Sequence, residues 1–311
     1  MASRDWPRIQ DFPSATRTKL IDSVKQLKKE NVSTLTVLVM GKGGVGKSST
    51  VNSILGERAI ATGSIQLQES RPVMVTRCSS RYTLNISDAK DPVSAFTLHI
   101  IDTPGLVEAG AVNYHVLDII KRYLLGRTID VLLYVDRLDQ YRVDSLDQQI
   151  VAAISDRFGK EIWRRGIVVL THALLIPPDE LGYDEFFSRR SQALLEVVGA
   201  GAKIKRQEVR GAIPVVLVEN STRCSRNEND EKIIPTGIAW IPNLMKTITE
   251  VVSNGSKGIK VDKNLIDGPN PNQRGKWLIP LIAAFQYFFI VMPLQMLIET
   301  DAEAERKSLN K

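Results

Sequence analysis

The run Gly41-Lys42-Gly43-Gly44-Val45-Gly46-Lys47-Ser48 carries the spacing G-x-x-x-x-G-K-[ST]. The pattern suits chemistry that handles phosphate. Backbone N–H groups of Gly43, Gly44, Val45, Gly46, Lys47, Ser48 and Ser49 can converge on phosphate oxygens, and a following helix N-terminus favours the negative charge. The Lys47 ammonium would reach the outer phosphates, and the Ser48 hydroxyl would ligate Mg²⁺. These roles make Lys47 and Ser48 catalytic candidates. The flanks suit the motif: the β-branched, apolar Leu35–Met40 reads as a buried strand, and Ser48–Leu55 as a helix ended by Gly56.

A second constellation lies downstream. Asp102-Thr103-Pro104-Gly105 follows an apolar strand. There the Asp102 carboxylate can hold a Mg²⁺-bound water and the Gly105 N–H can sense a γ-phosphate. A D-x-x-G at this place points to the switch of a GTPase rather than to a kinase. The residue after Gly105 is Leu106, so no Gln follows to orient water, and hydrolysis unaided by a partner should be slow. The purine site departs from the usual N-K-x-D. The fifth strand ends in Thr171-His172-Ala173 and the sixth in Glu219-Asn220-Ser221. Glu219 would accept from guanine N1–H and N2–H₂, with His172 stacked on the purine face.

These residues need a scaffold, and the hydrophobic pattern supplies one. An amphipathic helix is expected over 14–30, with Ser14 as its N-cap and Leu20, Ile21, Val24 and Leu27 on one face. Tyr82–Ile86 and Phe96–Ile100, joined by Asp88–Pro92, read as a hairpin. That places one antiparallel strand on an otherwise parallel sheet. Further strands fall at 129–135, 166–171 and 213–219, and helices near 112–125, 144–157, 184–198 and 240–253. The alternation predicts an α/β, three-layer P-loop GTPase fold, mostly parallel, with a C-terminal transmembrane helix. Expected domains are a helical extension (1–33), a GTPase domain (34–254), a Gly/Pro/Asn/Lys-rich linker (255–276), a span (277–298) and a polar tail (299–311).

Composition limits the alternatives. The 311 residues are 43% hydrophobic and 24% charged, as in a globular protein. A net charge of +6, from 41 Lys+Arg against 35 Asp+Glu, suits an anionic surface but does not indicate nucleic acid. Two cysteines, Cys78 and Cys224, make no disulfide framework, and Met1–Arg8 has no apolar signal core. Trp277–Ile298 is mostly apolar and would be about 33 Å long as a helix, enough for a bilayer core. Pro280, Gln286, Pro293 and Gln295 leave a buried or interfacial helix as the competing reading. Arg274, Lys276 and Trp277 form an edge of the kind that anchors a span, and the polar tail beyond it makes this a tail anchor with the GTPase domain facing the cytosol.

The motifs already quoted, with Arg71–Val75, Asp130–Asp139 and Asp267–Asn272, closely resemble the small receptor GTPases of the chloroplast outer-envelope import translocon, whose G domain is septin-like and AIG1-type. The resemblance implies GTP/GDP and Mg²⁺ as cofactors, and a homodimer, or a heterodimer with a related GTPase, formed across the nucleotide site. It also implies recognition of precursor transit peptides, channel subunits as partners, and residence in the chloroplast outer membrane through a single-pass C-terminal anchor. Its guanine contacts map onto His172, Glu219 and Asn220, and its switch contacts onto Ser64 and Gln66. The metal set would then be Ser48, Gln66 and Asp102. Arg142 matches the family's dimer-interface arginine, as catalyst or as fastener. The Tyr82–Phe96 region reads as an insertion. The alternative is a septin-like or immunity-associated GTPase that scaffolds membranes by polymerising, without precursor cargo.

Overall fold

The computed structural model describes residues 4–56, 78–88, 91–140, 142–178, 181–205, 209, 211, 213–254, 258–261, 287, 289 and 292. Its first compact unit, Met1–Asp262, is built on a seven-stranded sheet. The strands are β1 (Arg4–Asp5), β2 (Thr34–Gly41), β3 (Cys78–Asp88), β4 (Asp91–Asp102), β5 (Val131–Arg137), β6 (Gly166–Thr171) and β7 (Val215–Leu217). Their order is β1-β3-β4-β2-β5-β6-β7. All neighbours run parallel except β3 and β4, an antiparallel pair that places Tyr82 opposite Leu98.

The two-residue β1 adds to β3 and was not foreseen. The hairpin belongs to the seven-stranded sheet. Its second arm, β4, runs the length of β3 and then pairs with β2, placing Ile100 beside Val37.

Why the sheet is parallel follows from its composition. Strands β5 and β6 are buried at nearly every position, so both faces must be covered, and only helical crossovers cover both. The helices are α1 (Ser14–Lys29), α2 (Lys47–Leu55), α3 (Tyr114–Tyr123), α4 (Ser145–Phe158), α5 (Tyr183–Ala202) and α6 (Trp240–Asn254). Helix α1 packs on α6, while α4 packs on both α3 and α5. Trp163 meets Tyr134 edge-on at 5.5 Å beneath the sheet centre.

Helix α1 begins one residue earlier than a Ser14 cap requires. Pro13 is the N-cap, and Ser14 is the first helical residue, its carbonyl accepting from the Thr18 hydroxyl. Proline's fixed φ and missing N–H suit it to the entry position. The face expected to be apolar is the buried one at Leu20, Val24 and Leu27. Helix α4 starts with a reciprocal capping box between Asp144 and Asp147.

Within the stretch read as a linker, Ile259–Lys260 pairs antiparallel with Thr128–Ile129, and Val261 is fully buried. The second unit, Lys263–Lys311, contains the expected span. That span lies outside the described residues apart from Tyr287, Phe289 and Met292, which are exposed. Among the described residues no helix is long and apolar enough to cross a membrane.

Candidate functional site

Strand β2 ends at Gly41, and the chain turns through the glycine loop into α2. Gly46, the N-cap of α2, has φ +93°, a left-handed conformation that costs glycine nothing. No side chain caps this helix, so its first-turn N–H groups stay available to an anion. Lys47 is buried and folds back across the loop, donating to the carbonyls of Gly41 (3.2 Å) and Lys42 (2.6 Å). Ser49 is half-buried on the same first turn.

The Asp102–Gly105 stretch docks directly on this loop. Asp102 is fully buried at the end of β4 and accepts from the Ser48 hydroxyl at 2.6 Å. Thr103 donates to the Val39 carbonyl at 2.7 Å, and the Leu106 N–H to the Gly41 carbonyl at 3.2 Å. A Cβ on Gly105 would come within 2.8 Å of the Gly43 backbone, so only glycine permits the approach. A hydroxyl and a carboxylate in contact at a helix N-terminus are hard oxygen donors of the type Mg²⁺ prefers. Ser48 and Asp102 therefore fit that ion. Leu106 is completely buried where a water-orienting polar side chain was missed in the sequence. The expected switch residues Ser64 and Gln66 lie outside the described residues.

The base end is built by two strand termini. His172 has φ +60° and turns the chain so that the Ala173 N–H reaches the Val218 carbonyl at 3.3 Å. The Leu174 N–H then donates to Glu219 Oε2 at 2.9 Å, while the Ser221 N–H donates to Oε1 at 2.8 Å. Glu219 is only 5% exposed, and each oxygen keeps a lone pair for a further donor. Asn220 commits its amide to α2: its Nδ2 donates to Thr50 Oγ1 (2.9 Å), and its Oδ1 accepts from Ser53 (3.0 Å). Tyr183 donates to the Ala173 carbonyl at 2.7 Å, and burial, with Glu219 nearby, pushes its phenol up to about 12.

One hub here was not foreseen. The fully buried Thr171 hydroxyl lies 2.7 Å from the Val45 carbonyl of the phosphate loop, 3.2 Å from the Asp136 carbonyl and 2.9 Å from His172 Nδ1. It has one hydrogen, so while it donates to a carbonyl, His172 must donate from Nδ1 and leave Nε2 bare. Burial first, then the Arg137 guanidinium, pulls the imidazole below its ordinary value, against Asp139 and Glu219. The ring is therefore neutral at neutral pH.

Arg142 sits between β5 and α4, with its side chain exposed. Behind it, Arg190 of α5 pairs with Asp136 at 2.6 Å, both side chains at most 2% exposed. Burial pushes the Asp136 carboxyl up, against the pull of Arg190. Arg190 also donates to the Arg142 carbonyl at 3.3 Å. No local sequence signal could have found the Arg190–Asp136 pair or the reach of Thr171 to the phosphate loop, because the partners lie 54 and 126 residues apart.

The phosphate loop, the Asp102 turn and the base loops thus meet along the C-terminal edge of one parallel sheet, where open α/β folds hold ligands. Comparison with known proteins agrees. Residues 35–210 match the model of the AIG1 family. The chain is 56% identical over 305 residues to Translocase of chloroplast 34 from Arabidopsis thaliana, covering 98% of this chain and 93% of that one. Crystal structures of Toc33 from Arabidopsis thaliana, 51% identical, superpose with TM-scores of 0.72 for its complex with Mg²⁺ and GMPPNP and 0.73 for that with GDP and Mg²⁺. They cover 82% and 83% of this chain, and all of each solved chain. A dimerization-deficient arginine-to-alanine mutant of the same protein matches at 0.74, covering 83% of this chain and 100% of that one.

Proposed function

The chain belongs to the AIG1 family, among its chloroplast translocase GTPases, and from that premise we propose that it is a membrane-anchored receptor for precursor proteins. It is a GTPase that takes GTP or GDP with Mg²⁺. The observation that carries the mechanism is the Ser48–Asp102 contact, which brings the metal-binding hydroxyl and the switch carboxylate together beside Lys47. When bound there, Mg²⁺ would neutralise charge on the phosphate oxygens.

The chain's own residues do the rest. Lys47, whose ammonium carries three donors, reaches the outer phosphates beside its loop carbonyls, and the α2 N-terminus holds the oxygens from below. Gly105, pressed against Gly43, offers its N–H where a γ-phosphate would end. Ser64 and Gln66 complete the switch side, with Gln66 in the metal set. Glu219 accepts from the guanine edge, while neutral His172 stacks on its face. The role of Asn220 is to hold Glu219's loop on α2. Dimerisation across the nucleotide sites with a second copy or a related GTPase is supported by the dimerization-deficient mutant of Toc33. Arg142, exposed on the nucleotide edge, is the residue that reaches the partner.

The receptor role rests on relatives named as chloroplast translocases, which also support residence at the chloroplast outer envelope. Residues 277–298 serve as the tail anchor and 299–311 as the short polar end, with the GTPase domain in the cytosol. Transit peptides are the cargo, and channel subunits the next partner. Pull-down of a labelled transit peptide on full-length protein loaded with GTP or with GDP tests this. The expected result is nucleotide-dependent capture. Equal and negligible capture in both states would leave a GTPase without precursor cargo. Fusing residues 265–311 to a reporter should send it to the plastid surface; a soluble reporter would refute the anchor.

A further inference from the structure

Beyond the base loop, the chain is tied to the N-terminal helix by a buried carboxylate. From Ser221 it turns, the Cys224 N–H donating to the Ser221 carbonyl at 3.4 Å. It then enters a short hairpin in which Ser225–Arg226 pairs with Lys232–Ile233. The buried Cys224 thiol donates to the Ile233 carbonyl at 3.3 Å and closes the base of this hairpin. At its tip, Asn227 Oδ1 accepts from the Glu231 N–H at 2.9 Å. Residues 225, 226 and 228–230 are exposed, yet Glu231 is only 2% exposed. Its carboxylate faces α1. Oε1 accepts from the Thr16 hydroxyl at 3.2 Å, and the Lys19 ammonium lies 3.0 Å from each oxygen. Asn227 Nδ2 completes the set, donating to Oε2 at 3.0 Å.

Burying a carboxylate is costly unless donors match its oxygens, and here they do. An apolar contact between the hairpin and α1 would stabilise the fold as well, because desolvation offsets the attraction of a buried pair. What directed donors add is a fixed placement, which a sliding apolar contact lacks. The path from this anchor to the base is continuous. Glu231 sits beside the hairpin strand that pairs back to Ser225, next to Cys224, and Cys224 bonds Ser221. The Ser221 N–H is one of the two donors that aim Glu219, at 2.8 Å from Oε1. Asn220 fixes the start of this loop on α2, and Glu231 fixes its continuation on α1.

We propose that Glu231 is a positioning residue for guanine recognition. With Thr16 and Lys19 of α1 it sets the hairpin, and through Cys224 and Ser221 the aim of the Glu219 carboxylate. The N-terminal extension is then part of the nucleotide-selecting machinery, although none of its residues touches the base. The proposal rests on the reading of Glu219 as the acceptor for the guanine edge.

The test uses the full-length protein in detergent and displaces fluorescent GDP with GDP, inosine diphosphate or Mg²⁺-pyrophosphate. Inosine diphosphate lacks the N2 amino group, and pyrophosphate engages the phosphate loop alone. The wild type should prefer GDP to inosine diphosphate roughly 30-fold, the worth of one charge-assisted hydrogen bond. Glu231→Gln keeps the size but sets an amide NH₂ among the donors of Thr16, Lys19 and Asn227. It should cut that preference to about fivefold or less and leave pyrophosphate affinity unchanged. Lys19→Met, at a half-exposed position, should do the same and carries the test if Glu231→Gln does not fold. Lys19→Arg keeps the charge and should keep the preference. Wild-type preference in both Glu231→Gln and Lys19→Met would overturn the proposal. So would an equal loss of GDP and pyrophosphate affinity, the mark of a merely structural role. If the wild type itself does not distinguish GDP from inosine diphosphate, the reading of Glu219 falls and takes the proposal with it. That outcome shows in the wild type alone, so it is separable from failure of the Glu231 anchor.

Discussion

Glu219→Gln is the substitution on which the base-end reading depends most. The carboxylate is nearly buried and already accepts two backbone N–H groups, from Leu174 and Ser221. Glutamine retains the size but presents one acceptor and one donor. Whichever way the amide settles, an NH₂ faces a backbone N–H or the guanine edge. Facing Leu174 or Ser221, it leaves a buried donor unsatisfied at about 1–3 kcal/mol. Facing guanine, it removes one charge-assisted bond worth about 2 kcal/mol, or roughly 30-fold in affinity. Fluorescent GDP and GTP titration, with ATP as competitor, measures the second effect, and thermal unfolding of the nucleotide-free protein measures the first. The expected outcome is lower stability together with a guanine-over-adenine preference reduced by at least that 30-fold. A variant that loses stability but keeps full guanine preference would refute the assignment and leave Glu219 as a loop strut.

Three further outcomes follow from the same geometry. With Arg142 read as the arginine that reaches the partner, Arg142→Ala would remove two contacts from a two-fold dimer, about 3 kcal/mol at least and roughly a hundredfold in dissociation constant, which sedimentation at graded concentrations would show. Thr171→Val matches the shape but strands the buried Val45 carbonyl; it should cost about 1–3 kcal/mol in unfolding free energy and weaken GDP and GTP alike, and unchanged nucleotide affinity would mean the hub is only structural. His172 titrates below its ordinary value in the folded chain, so the unfolded chain takes up a proton first as pH falls. Stability should be level above about pH 6.5 and decline below it until the folded pKa is passed, and His172→Gln should flatten that decline in pH-dependent thermal melts.

The local parts of this protein were legible without coordinates because they are short-range. The glycine loop works through backbone conformation over eight residues, Gly41 to Ser48, and strand-loop-helix context suffices to recognise it. Near-continuous burial of Val131–Arg137 and full burial of Gly166–Thr171 follow from their apolar runs, so a mostly parallel sheet could be expected. The antiparallel hairpin was also visible in its alternation. What the chain's order conceals is every contact that spans elements. Ser48 and Asp102 are 54 positions apart, Arg190 and Asp136 likewise, and Thr171 stands 126 from Val45. Such pairs have no periodicity, because they arise only when parallel strands align their C-terminal ends. Proline at the entry of α1 overrode a serine cap, and pairing of Ile259–Lys260 with Thr128–Ile129 drew part of a Gly-rich stretch onto the domain. The sequence therefore determined which groups could meet a nucleotide. Only the tertiary structure decided which side chains hold them, since buried charges and hydroxyls need partners that the fold alone brings within reach.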